Sequence, residues 1–131
     1  MDLSLDRHGE YLFVRRVTER SITVVDRELT ASFLLSPERA VERWPVTQAQ
    51  ALTGEHVDAV LALKPEVVLL GTGPRQQFPP AAFMAGFLRR GIGIEVMDNA
   101  AAARTSDLLA SEGRRVVAAF ILPADQSPSS L

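Results

Sequence analysis

The residues of this chain best suited to chemistry are Gly71-Thr72-Gly73-Pro74-Arg75-Gln76, which stand between an apolar run and a segment with helical spacing. A glycine-bearing loop in that setting can turn several backbone N–H groups toward one anion, and the Arg75 guanidinium could add a planar contact to a carboxylate or phosphate. Asp98 ends the next strand-like run. If the two strands are neighbours it lies beside the loop, in the crevice where open α/β sheets hold ligands. The specific nucleotide templates are not met. Gln76 occupies the place of the third glycine in G-x-G-x-x-G, and no Gly-Lys-Ser/Thr follows, so the loop is neither a dinucleotide fingerprint nor a P-loop. Plainer roles compete at each position. The glycines can serve a tight strand exit, Arg75 can be solvated or paired with Asp98, and Asp98 is fully explained as a helix N-cap. Gly71, Thr72, Gly73, Arg75 and Asp98 are therefore candidate ligand-binding residues with a structural alternative.

Other chemistry is sparse. Glu66, Glu95 and Asp98 could supply paired carboxylates, but strand alternation puts Glu66 and Glu95 at exposed strand ends. His8 and His56 are far apart and belong to no H-E-x-x-H or G-x-S-x-G setting, so neither a histidine metal site nor a Ser-His-Asp set is indicated. The absence of cysteine removes disulfides, thiolate catalysis and Cys-based metal sites. No catalytic residue, metal site or cofactor is expected. Trp44, Phe78, Pro79 and Pro80 are either core or an exposed apolar patch beside the loop, and in the second case a partner surface. Arg104 and Asp107 sit i, i+3 on a predicted helix, with Glu112 close behind, a spacing that suits a surface ion pair.

These residues need elements to hold them. Pro65 stops a helix and opens the continuously apolar run Val67 to Leu70, as expected of a strand covered on both faces. A helix follows from Pro79 to about Arg90, with Phe83 and Phe87 one turn apart and Gly91 placed as a C-cap. Ile92 to Met97 is the next strand. Asp98 then caps a helix through Glu112, with Leu108 and Leu109 on its apolar side, and Arg114 to Leu122 contains a last buried strand. Three strands separated by two helices imply right-handed crossovers and a parallel βαβαβ core.

Upstream, Tyr11 to Ser36 reads as an antiparallel meander in which Glu19-Arg20 and Asp26-Arg27-Glu28 are the polar breaks. Val41 to Trp44 is one more short strand. Thr47-Gln48-Ala49-Gln50 fits a capping box at the start of a helical turn, and Thr53 caps a helix to about Leu63 with Val57, Val60 and Leu61 inward. The expectation is an α/β fold, α+β by some schemes, in layers: one domain over residues 1–123 with a mixed sheet, N-terminal antiparallel strands and a flexible tail over 124–131.

With 131 residues, 47% of them hydrophobic, the chain is long enough for one domain with a substantial core. A net charge of -2 gives no electrostatic case for nucleic acid. All but one of the cations, Lys64, are arginines, which favour planar contacts to carboxylates. The acidic N-terminus Met1-Asp2-Leu3-Ser4-Leu5-Asp6 is unlike a secretory signal, and Val116 to Leu122 is too short to span a bilayer, so a cytoplasmic, non-spanning protein is expected.

Pro65 to Gly73, the Arg90 to Asp98 strand, and Ala103-Arg104-Thr105 with Glu112-Gly113-Arg114 together resemble the Mth938-like domain family. That family includes mitochondrial respiratory complex I assembly factor 3 and many uncharacterised bacterial proteins. The resemblance runs from about Tyr11 to Leu122 and is strongest from Pro65 onward. It implies a β/β/α layered domain with helices packed on one side, no established enzymatic activity, and action through protein partners. Where relatives commonly carry an aromatic residue and Asn after the Arg-Thr pair, this chain has Ser106 and Asp107. Phe78, Arg104 and Asp107 are accordingly candidate partner-surface residues. The leading reading is a non-enzymatic assembly or adaptor protein; the alternative is a small-ligand or anion-binding protein, with enzymatic activity left open, built on the Gly71-Thr72-Gly73 loop. A homodimer through an exposed strand edge is a further expectation.

Overall fold

Side-chain alternation along the central strands sets the layers of the fold. The computed structural model describes residues 10–124. In β6 (Val67–Gly71), Val68 and Leu70 join one apolar cluster and Leu69 the other. In β8 (Val116–Phe120), Val117 and Ala119 follow the first set, and Val116, Ala118 and Phe120 the second. A strand apolar at every position is thus buried on both faces.

Five strands form the main sheet, in the order β5-β4-β8-β6-β7. β6 pairs in parallel with β7 (Gly93–Met97) on one side, Leu70 opposite Val96, and with β8 on the other, Leu70 opposite Ala119. β4 (Phe33–Leu35) runs antiparallel to β8 and to β5 (Ala40–Glu42). A second, three-stranded antiparallel sheet consists of β1 (Val14–Val17), β2 (Ile22–Val24) and β3 (Arg27–Leu29). The fold is the mixed α/β domain with a parallel core and N-terminal antiparallel strands expected of the sequence.

β6 connects to β7 through α2 (Ala81–Leu88), and β7 connects to β8 through α3 (Asn99–Ser111), which carries the chain back past β6. Crossovers of one hand that step in opposite directions place their helices on opposite faces. Phe83 and Phe87 of α2 accordingly pack in one cluster with Val57 and Val60 of α1 (Gly54–Leu61), while Ala102, Ala103 and Ala110 of α3 pack in the other with Ile22, Val24 and Leu29 of the small sheet. The one-sided arrangement implied by the family resemblance holds for α1 and α2. α3 shares the opposite face with the small sheet.

Local signals account for most boundaries. Thr53 caps α1: its side chain accepts from Glu55 N, while His56 Nδ1 accepts the Thr53 amide at 2.9 Å. Gly91 and Gly113 follow α2 and α3 at positive φ, 73° and 80°.

Four local expectations need correction. Arg27 and Glu28 belong to β3, because the turn falls at Val25-Asp26, with Val25 at φ 57°, and because Arg27 is anchored to Glu42 by two 2.7 Å contacts. β4 leaves the meander for the main sheet, where Phe33 stacks on Phe120 with ring centroids 5.1 Å apart. The turn at Ala49–Ala51 is 3₁₀ and begins at Gln48 with no side-chain cap, so Thr47 does not cap it. Leu108 is 58% exposed, since the buried stripe of α3 runs through Ala102, Ala103, Ser106 and Ala110. His8, the N-terminal acidic residues and the tail from 125 to 131 lie outside the described residues.

Candidate functional site

The chain leaves two neighbouring parallel strands toward opposite faces, β6 toward α2 and β7 toward α3, and such a divergence opens a crevice at the strands' carboxyl ends. Gly71, Thr72, Gly73 and Asp98 meet there. Thr72 N donates to Met97 O at 3.0 Å, and Asn99 N donates to Gly73 O at 2.8 Å, tying the two strand exits together. Thr72 is buried, and its Oγ1 donates to Arg75 O at 2.7 Å while accepting from Gln77 N at 2.9 Å. Gln76 Nε2 donates to Val96 O at 2.7 Å, on the outer side of β7. Asp98 acts as the N-cap, Oδ1 accepting from Ala101 N at 2.7 Å. Gly73 has φ 99°, a conformation that favours glycine.

Sequence reasoning missed Asn99. It is 2% exposed, and its Nδ2 donates to Ile121 O at 3.0 Å, bridging the start of α3 to the end of β8. Its Oδ1 has no hydrogen-bond partner among the described residues and faces Gly71, where a Cβ would overlap it. Gly71 is therefore required by close approach. The one sequence signal for this pair was a glycine ending an otherwise large apolar strand.

A cavity of about 340 Å³ lies between Gly73-Pro74, the Asp98-Asn99-Ala100 start of α3 and Val17-Thr18-Glu19 at the β1–β2 turn. Its charged lining residues are Glu19 and Asp98. Arg75 is exposed and is not among the lining residues. The amides of Thr72, Gln77, Asn99 and Ala101 already donate to internal acceptors. The crevice thus suits an uncharged or cationic group better than an anion, because both of its charged lining residues are carboxylates.

The three partner-surface candidates do not converge. Phe78 is 64% exposed just ahead of α2, whereas Arg104 is exposed on α3, on the opposite face of the sheet. Trp44 and Pro79 are buried, so the apolar patch with Phe78 reduces to Phe78 and Pro80. Asp107 is half-buried, and its Oδ1 accepts from Val14 N at 2.9 Å. Burial pushes its carboxyl above the usual range, and the Val14 amide opposes the shift. Asp107 staples α3 to β1 instead of pairing with Arg104. Glu66 and Glu95 are exposed, as strand alternation predicted, and Glu66 pairs with Arg114 at 2.7 Å, whose hydrogen bond holds its carboxyl below the usual range. Among the described residues no three acidic, histidine or cysteine side chains are grouped to hold a metal.

Residues 14–121 match the family model described as Protein of unknown function (DUF498/DUF598). The chain belongs to this family. A solved structure from Xanthomonas campestris is 49% identical and superposes with a TM-score of 0.82 over 93% of both chains. A Bordetella pertussis protein described as a Mth938-like domain is 29% identical, with a TM-score of 0.74 over 98% of this chain and 96% of that one. The Mth938-like resemblance is thereby confirmed for this DUF498/DUF598 member. A mouse relative, NADH dehydrogenase (ubiquinone) 1 alpha subcomplex assembly factor 3, is 28% identical over 88% of this chain and 63% of its own length. The chain spans about 60% of the length of the curated relatives it matches. Among the described residues, no helix is long and apolar enough to cross a membrane.

Proposed function

We propose that this chain is an assembly-type adaptor of the cell interior, which works by docking onto protein partners and not by turning over a substrate. The observation that carries this reading is its relation to the mouse assembly factor across 88% of the chain. The local chemistry is compatible: the polar groups of the Gly71 loop hold strand exits together, and Asp98 and Asp107 hold helix and strand ends. The reading is tested by tagging the chain at its native level, cross-linking in the cell and quantifying captured proteins. A small, reproducible set of subunits of one complex supports it; recovery at background levels, equal to an untagged strain, rejects it.

A second reading keeps the Gly71, Thr72, Gly73, Arg75 and Asp98 region as a small-ligand site, and the cavity of about 340 Å³ is what favours it. Thermal shift against millimolar panels of inorganic anions and of small amines decides between the charges. Arg75→Ala should leave folding intact and weaken any anion that binds. No stabilisation by either panel removes the reading. The homodimer expectation is tested separately by sedimentation at several concentrations, where a constant monomer mass rejects it.

A further inference from the structure

A narrow apolar slot of about 330 Å³ lies at the other side of the main sheet's face, between β5 and α1. Leu34 of β4 and Val41 of β5 line it from the sheet side. Ala59 on α1 and Ala62 just past its end, both small and exposed, leave the facing wall open where larger residues would fill it. Trp44 also lines it, is 4% exposed, and leaves its indole Nε1–H without an acceptor among the described residues.

The charge at this slot has one sign. Arg39 and Arg43, two residues to either side of Val41, both line it and both are exposed. Glu42 lies between them in sequence but turns to the opposite face, where Arg27 holds it through two 2.7 Å contacts and keeps its carboxyl below the usual range. Among the described residues neither Arg39 nor Arg43 has a carboxylate within ion-pair distance. Apolar lining and two exposed guanidinium groups without an ion-pair carboxylate define the chemistry of what would fit.

We propose that this slot receives an apolar side chain from a protein partner, presented on a segment whose neighbouring residues are aspartate or glutamate. The side chain sits between Val41 and Ala59, and the flanking carboxylates meet Arg39 and Arg43. This inference rests on the docking reading above and specifies the partner's chemistry.

Trp44 is the sole tryptophan, so its emission reports on the slot directly. The probe is a blocked synthetic peptide with a central Leu-Phe pair flanked by aspartates, compared with the same peptide flanked by lysines. The acidic peptide should shift Trp44 emission saturably, bind at least about tenfold more tightly than the basic one, and weaken as salt rises through the range where the Debye length falls below about 10 Å. Arg39→Glu with Arg43→Glu should cost about tenfold or more, and Ala59→Phe should block binding by filling the wall, each with an unchanged circular dichroism spectrum. Equal binding of the two peptides, no binding of either, or full binding by both variants overturns the slot. The in-cell capture separates the two claims: partners retained by the double arginine variant reject the slot and leave the docking reading standing, whereas no partner for the wild type rejects the docking reading itself.

Discussion

Replacing Gly71 by alanine perturbs the contact on which the strand exits converge. An added Cβ would overlap Asn99 Oδ1 and stand 3.2 Å from both Ala102 Cβ and Phe120 Cδ1, in a site with no exposed side to yield into. Overpacking of this kind costs about 1–3 kcal/mol. Asn99 is the neighbour that could give way, but it is held by its 3.0 Å bond to Ile121 O, so its retreat adds about 1 kcal/mol for the lost hydrogen bond. Restricting the unfolded chain returns about 0.4–1 kcal/mol. The net expectation is a loss of about 2–3 kcal/mol, read as a fall of about 1 M or more in the urea midpoint with unchanged slope. A double-mutant cycle with Asn99→Ala should show coupling of at least about 0.5 kcal/mol, because removing the amide makes room for the new methyl. A Gly71→Ala loss below about 0.5 kcal/mol, or strict additivity in the cycle, would refute the close-approach argument.

Thr72→Val keeps the shape but leaves Gln77 N and Arg75 O without the hydroxyl, and should cost about 1–3 kcal/mol in urea unfolding. Asp98→Ala removes the cap on Ala101 N and should cost about 1 kcal/mol; a larger loss accompanied by changed partner capture would mean that Asp98 does more than cap. Asp107→Asn has a pH signature. The folded carboxyl titrates above its unfolded value, so the folded state holds that proton more tightly, and Asp107's contribution declines as pH rises from the unfolded value through the folded one. The Asn variant lacks this decline and can still accept from Val14 N, so its stability relative to wild type should improve as pH rises from the ordinary aspartate range toward neutrality. A difference flat across that range contradicts the assignment.

The parallel core was legible because its strands are buried on both faces and therefore apolar at successive positions, as Val67 to Leu70 and Val116 to Phe120 are. Caps were legible because Thr53, Asp98, Gly91 and Gly113 act within a turn of themselves. What could not be read depends on contacts between distant segments. β3 is polar at two of its three positions and is fixed through Arg27 and Glu42, fifteen residues apart. β4 follows Phe120 into the main sheet. Asp107 looked like half of a helical ion pair until its acceptor role toward Val14, 93 residues away, placed it at a helix–strand seam. In the site, the meeting of Gly71 to Gly73 with Asp98 followed from strand adjacency. The buried Asn99, the carboxylate lining and the outward Arg75 did not, since sequence spacing carries no information on which side of a loop faces a crevice.

The central claim is that this DUF498/DUF598 domain acts in assembling a protein complex, and the most direct measurement is a quantitative profile of native complexes by size in cells with and without the gene. The account predicts that one multi-subunit complex falls in abundance while its subunits accumulate in smaller species, restored by the wild-type chain. An unchanged profile of assemblies, with a small-molecule pool altered instead, would contradict it.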